Sequence, residues 1–127
     1  QIGTPTSTPT LAQAIFALID NTQAQGIYHC TDAGQGSWYD FAVAIYQQAQ
    51  ALGLLPSNKS VTIRPIKTTE YPTPALRPAY SVLDYSRLKA DTGLLIRDWR
   101  VELAEELDKL LTETAQTLKY SEYISKK

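Results

Sequence analysis

The chain has no methionine, one cysteine and one histidine, and each shortage removes a class of protein. Cys30 has no partner for an internal disulfide and fits a reducing cytosol. Cys30 and His29 are adjacent in a segment that reads as a strand. Their side chains then point to opposite faces, which argues against a shared metal. A single imidazole on a strand reads as a satisfied, half-buried side chain, not a base. No apolar run approaches the ~20 residues needed to span a bilayer, and the first residues do not read as a signal peptide. Excess charge is missing too. The formal net charge is -1, with acids and bases interspersed, which argues against broad attraction to nucleic acid or to an acidic membrane. The absent Met, with Gln1 at the start, points to a piece of a longer polypeptide or a processed product.

What is present suits one domain. The 127 residues can bury a real core. Residues 1–7 lack periodicity and read as a loop. Thr8 followed by Pro9 marks a helix start, and Leu11, Ile15, Leu18 and Ile19 predict an amphipathic helix over 9–22. GIYHCTD, 26–32, reads as a strand. Ser37 with Asp40 resembles a capping box in which Asp reaches back less well than Glu. It opens a helix over 38–52 with Phe41, Ala42, Ile45, Tyr46 and Ala49 inward. Gly53 ends that helix. After a turn from Pro56 to Lys59, SVTIRPI reads as an edge strand limited by Pro65. Three prolines make 67–81 an extended loop. Asp84 or Tyr85 opens a short helix that Gly93 closes. Asp98 caps a long last helix lined by Trp99, Leu103, Leu107, Leu110, Leu111 and Leu118, with Glu105 and Lys109 as an i,i+4 pair. A tail from about Tyr120 is expected to fray. Two short strands make a weak sheet by themselves, so the chain is expected to pack against something else.

Several motifs imitate chemistry. GQGSWY follows the expected strand and opens a helix, as a dinucleotide fingerprint does. Tyr39 stands where the third glycine belongs, and no acid closes a following strand, so a glycine turn before a cap is the better reading. Tyr85 and Lys89 in YSRLK copy the spacing of a dehydrogenase acid/base pair. No cofactor loop accompanies them, and the chance reading prevails. SRLK also matches S-x-x-K, without that class's other motifs. Trp38 and Tyr39, at a helix start, can stack on a ring or pack on a neighbour. Arg77 lies in the proline-stiffened YPTPALRP, where little freedom is lost on positioning a guanidinium for phosphate. A surface Arg or a structural ion pair is the alternative.

The runs GIYHCTDAGQGSWYDFAVAIYQQA, TTEYPTPALRPAYSVLDYSRLKADTGL and DWRVELAEELDKLL occur in consistent order. Together with QIGTPTSTPTLAQAI they resemble the C-terminal part of the dTDP-4-dehydrorhamnose reductase family, over roughly residues 1 to 111. These are extended short-chain dehydrogenases that reduce the 4-keto group of dTDP-4-dehydro-L-rhamnose to dTDP-L-rhamnose, for cell-surface polysaccharide. The resemblance implies an α/β class: a small, helix-rich piece with a few short strands, forming the C-terminal part of a Rossmann-type reductase. Residues 1–119 would be its substrate-binding domain and 120–127 the tail.

It also implies that the cofactor loop and the catalytic Tyr-x-x-x-Lys lie upstream. The chain would then have no catalytic or cofactor-binding residue, no metal, and no activity alone. The parent would use NADPH or NADH. Arg77, Trp38, Thr4 and Thr6 become the expected substrate-binding residues. Leu76 and Tyr80 depart from the family's usual polar or basic residue and Asn, which leaves altered contacts or substrate choice open. Expected partners are a dTDP-sugar and the N-terminal Rossmann portion, with a homodimeric parent left open and a cytoplasmic location. The alternatives are a non-catalytic regulatory or binding subunit of the same fold, or a reductase or epimerase for another nucleotide sugar.

Overall fold

The computed structural model describes residues 1–56, 58 and 60–125, with side chains described through residue 113. Four helices dominate: α1 (Thr8–Asp20), α2 (Trp38–Ala51), α3 (Ser86–Thr92) and α4 (Trp99–Ser125). They are joined by one two-stranded antiparallel sheet, β1 (Ile2–Gly3) and β2 (Gly36–Ser37), in the register Ile2↔Ser37 and Gly3↔Gly36. The helix-rich α/β expectation holds. Leu118, the fraying tail and the turn residues 57 and 59 lie wholly or in part outside the described residues.

The helices follow their local signals. Ser7, not Thr8, caps α1: its backbone is extended and its side chain accepts from the Thr10 amide, so Thr8 and Pro9 fall inside the first turn. The helix stops at Asp20, two residues early, because the Asn21 carboxamide accepts from Gln23 N–H and donates to the Asp91 carbonyl. At α2 the capping box is complete. Asp40 Oδ2 accepts from the Ser37 amide at 2.7 Å, and Ser37 Oγ accepts from the Asp40 amide at 3.1 Å. The shorter Asp side chain does reach back here. Gly93, at φ 70°, ends α3 by donating its amide to Lys89 O. Asp98 Oδ1 accepts from the Arg100 amide at the start of α4.

The strands differ from expectation. Residues 26–32 are not in a ladder; Arg87 donates to the Gln25 and Ile27 carbonyls instead. His29 is consequently exposed rather than half-buried. Residues 60–66 form no ladder either, and Val61 and Ile66 are more than half exposed. A strand needs a neighbour, and no described segment lies alongside either one. The sheet forms instead from residues 2–3, read as loop, and 36–37, read as turn. The Glu105–Lys109 pair is also replaced. Arg97 grips Glu105 with two guanidinium nitrogens, and Lys109 pairs with Glu106 at 2.7 Å. A two-pronged Arg contact outcompetes a single Lys contact.

The core is small: among the described residues Ala14, Ala49, Leu88 and Trp99 are the buried apolar ones. It lies along two helix pairings, α2 with α4 and α1 with α3. Ala33 ties the α4 start to the sheet turn, donating to Arg97 O at 2.8 Å and accepting from the Trp99 amide at 3.1 Å.

Candidate functional site

Ile2 is the hub of the site. It pairs with Ser37 on one side. On the other its amide donates to Ala79 O, and its carbonyl accepts from the Ser81 amide, both at 2.8 Å. One dipeptide thus sits between two segments from distant parts of the sequence. The loop after β1, the start of α2 and the Arg77–Pro78 segment are drawn around one cavity of about 450 Å³. Thr4, Thr6, Trp38 and Arg77, the four expected site residues, all line it. Trp38 is 70% exposed, its ring open to the cleft. Thr6 Oγ1 donates to Thr4 O, while Thr4 Oγ1 is buried with no partner among the described residues.

A second cavity of about 710 Å³ adjoins the first, sharing Gln1, Ser37, Trp38 and Arg77. Its other wall includes Arg64, Lys67 and Tyr71. Sequence reasoning missed these, and missed Ile2. Neither cavity is lined by His, Cys, Asp or Glu. Tyr85 and Lys89 border neither; Tyr85 precedes α3 as its cap.

Gly34 and Gly36 have a packing role. Gly34 has φ 83°, and a Cβ there would lie 2.5 Å from Asp98 Oδ2; one on Gly36 would lie 3.2 Å from the Trp99 ring. Both glycines let the chain lie against the α4 start. Packing alone accounts for both glycines.

Beneath the site, Asp32 fixes the loop leading into α1. It is 1% exposed, and its Oδ2 accepts from the Ser7 amide at 2.8 Å. Ser7 Oγ contacts Thr10 Oγ1 and Glu102 Oε2, and Glu102 is held by Arg97 at 2.6 Å. Burial raises the Asp32 pKa above the usual 3.8. Hydrogen bonds from Thr10 and Ser7 oppose the rise, Glu102 reinforces it, and Arg97 opposes it. The same burial, followed by the Asp32 charge, pushes the Cys30 thiol up.

A raised carboxyl pKa means the fold favours the protonated form. Its stabilising contribution is full below the unfolded value and is lost as pH rises through the folded one. In urea titrations, wild type should therefore lose stability relative to Asp32→Asn as pH climbs from below 3.8. A wild-type-minus-variant difference that stays flat with pH would remove Asp32 as the source.

A guanidinium, an exposed indole and the Thr6 hydroxyl line one concave surface, which has the shape of a binding cleft. The chain belongs to the RmlD substrate binding domain family, whose model matches residues 1–112. It is 34% identical over 120 residues to a dTDP-4-dehydrorhamnose reductase of Escherichia coli, a match covering 91% of this chain and 39% of that one. It is 41% identical over 107 residues to the spore coat polysaccharide biosynthesis protein SpsK of Bacillus subtilis, covering 84% and 34%. The crystal structure of a dTDP-4-dehydrorhamnose reductase from Clostridium acetobutylicum superposes with a TM-score of 0.76 at 41% identity, covering 87% of this chain and 36% of that one. The chain thus spans about two fifths of the length of the E. coli relative.

Proposed function

We propose that this chain is the nucleotide-sugar-binding portion of a dTDP-4-dehydrorhamnose reductase, which makes dTDP-L-rhamnose. The observation that carries the reading is the convergence of Arg77, Trp38, Thr4 and Thr6 on one cleft in a chain of this family. Arg77 would hold the diphosphate in a two-pronged way. Trp38 offers an apolar face and Thr6 a hydroxyl to the sugar, while Thr4, its own hydroxyl buried, accepts from Thr6 through its carbonyl and shapes the wall. Fixing the substrate in this way lowers the entropic part of the barrier to a reaction carried out elsewhere. The coenzyme, NADH or NADPH, and the proton donor are assigned to the remaining polypeptide of a longer protein.

That polypeptide is also the proposed partner. The α1 face of Leu11, Ile15 and Ile19 is 46%, 50% and 67% exposed, and residues 26–32 join no ladder. An apolar helix face and an unpaired backbone segment suit packing against a further layer. A cytosolic location belongs to the same reading and keeps Cys30 reduced.

The test uses the full-length protein with dTDP-4-dehydro-L-rhamnose and a nicotinamide coenzyme. Turnover is expected, and the 127 residues alone should bring about none. Arg77→Ala should weaken nucleotide-sugar binding by about 1–3 kcal/mol, the scale of a lost charged hydrogen bond, read by calorimetric titration. Unchanged affinity would take Arg77 out of the site. Coenzyme oxidation by the 127-residue chain in step with keto-sugar loss would overturn the division of labour.

A further inference from the structure

Ion pairing among the described residues is uneven. Arg87, Arg97, Arg100 and Lys109 each face a carboxylate. Arg64, Lys67 and Arg77 pair with no described carboxylate, and all three line the second cavity. Three unpaired cations around one concavity repel one another, and their summed field favours an anion there. The same walls carry aromatic surface. Trp38 is 70% exposed, Tyr71 69% and Tyr39 38%.

The Lys67 backbone is held in place: it is extended, and its amide donates to Glu70 Oε2 at 2.6 Å in the turn Thr68–Glu70. Pro65 stiffens the chain between the two cations. Loop positions set in this way lose little freedom when a ligand arrives.

We propose that the second cavity receives the nucleoside diphosphate, with Arg64 and Lys67 joining Arg77 on the phosphates and the exposed aromatics taking the base. This rests on the nucleotide-sugar reading and adds the direction in which the ligand lies. Trp38 and Arg77 border both cavities, so they mark the crossing point. The sugar occupies the smaller, hydroxyl-lined cavity. The diphosphate crosses at Arg77, and the nucleoside lies in the larger, basic cavity. Guanidinium suits phosphate bidentately, and every base has a face that stacks on an aromatic ring.

The experiment titrates dTDP, pyrophosphate and thymidine into the full-length protein, wild type and Arg64→Gln/Lys67→Gln. Lys89→Gln serves as an exposed-cation control outside both cavities. The double variant should weaken dTDP binding roughly tenfold or more, as two charged contacts would. It should also flatten the salt dependence and leave thymidine unaffected. The control should stay within about twofold, as a surface charge does. The altered side chains are exposed, and Lys67→Ala alone should give a smaller loss in the same direction.

Wild-type binding of dTDP with the double variant within about twofold of it would overturn this inference and leave the nucleotide-sugar reading standing. Pyrophosphate binding as tight as dTDP would overturn the base contact. Failure of wild type to bind dTDP at all would overturn both readings.

Discussion

Trp99→Ala is expected to destabilise the fold by about 3–5 kcal/mol, the range for removing a buried large aromatic. Trp99 is 1% exposed, and its ring meets Phe41 edge-on at 5.6 Å between centroids. The Arg100 guanidinium lies 4.1 Å from its ring centroid. On its other side, Gly34 and Gly36 pack too closely to admit a Cβ without a shift. The glycine backbone has no side chains to move in, so part of the cavity stays open even where Phe41 and Arg100 relax toward it.

Trp99 Nε1 is buried without a partner among the described residues. An unpaired buried donor costs about 1–3 kcal/mol. Trp99→Phe removes that penalty together with some volume, and should therefore cost clearly less than Trp99→Ala. Urea unfolding followed by circular dichroism reads both. A cost below about 1 kcal/mol for Trp99→Ala would place it outside the residues that hold a core.

The effect should reach the cleft. Phe41 also meets Trp38 edge-on at 6.4 Å, so Trp99, Phe41 and Trp38 form a ladder from core to ligand wall. With two tryptophans in the chain, Trp99→Ala leaves Trp38 as the sole indole. Its emission in the 127-residue chain should shift to longer wavelength.

The parts legible in the sequence are those with local causes. Ser37 with Asp40, Gly53, Gly93 and Asp98 mark helix ends because a cap is settled within four residues. The α2 stripe follows from 3.6-residue periodicity, and Ala49 is indeed buried. Strands have no such local cause. GIYHCTD has the composition of a strand, yet pairing depends on a neighbour that its sequence does not contain. Ile2–Gly3 lacks any strand pattern and becomes the sheet because residues 36–37 and 79–81 flank it. Such contacts span tens of residues of sequence.

The site follows the same rule. Arg77 and Trp38 stand out from their local sequence, whereas Thr4 and Thr6 follow from the family resemblance alone. Arg64 and Lys67, outside those motifs, became visible only once the loop folded beside Trp38. The buried network of Ser7, Asp32, Glu102 and Arg97 had no sequence signature, since its members are up to 95 residues apart.

Leu88→Ala should cost about 2–5 kcal/mol, and its contrast with Ile15→Ala tests the proposed covering of the α1 face. Leu88 is fully buried and is the one buried residue of α3, the helix that packs on α1. Removing it opens a cavity between two helices whose other contacts are few. Ile15 lies on α1 but is 50% exposed. In the 127-residue chain, Ile15→Ala should cost under about 1 kcal/mol, since half the side chain gains nothing from folding and alanine is the better helix former. In the full-length protein the Leu88→Ala cost should be little changed, while the Ile15→Ala cost should rise toward about 2 kcal/mol as a further layer covers it. Equal Ile15→Ala costs in the two settings would show that the α1 face stays in water, and the partner would have to bind elsewhere. A Leu88→Ala cost no larger than that of Ile15→Ala in the short chain would show that α1 and α3 do not pack there as described.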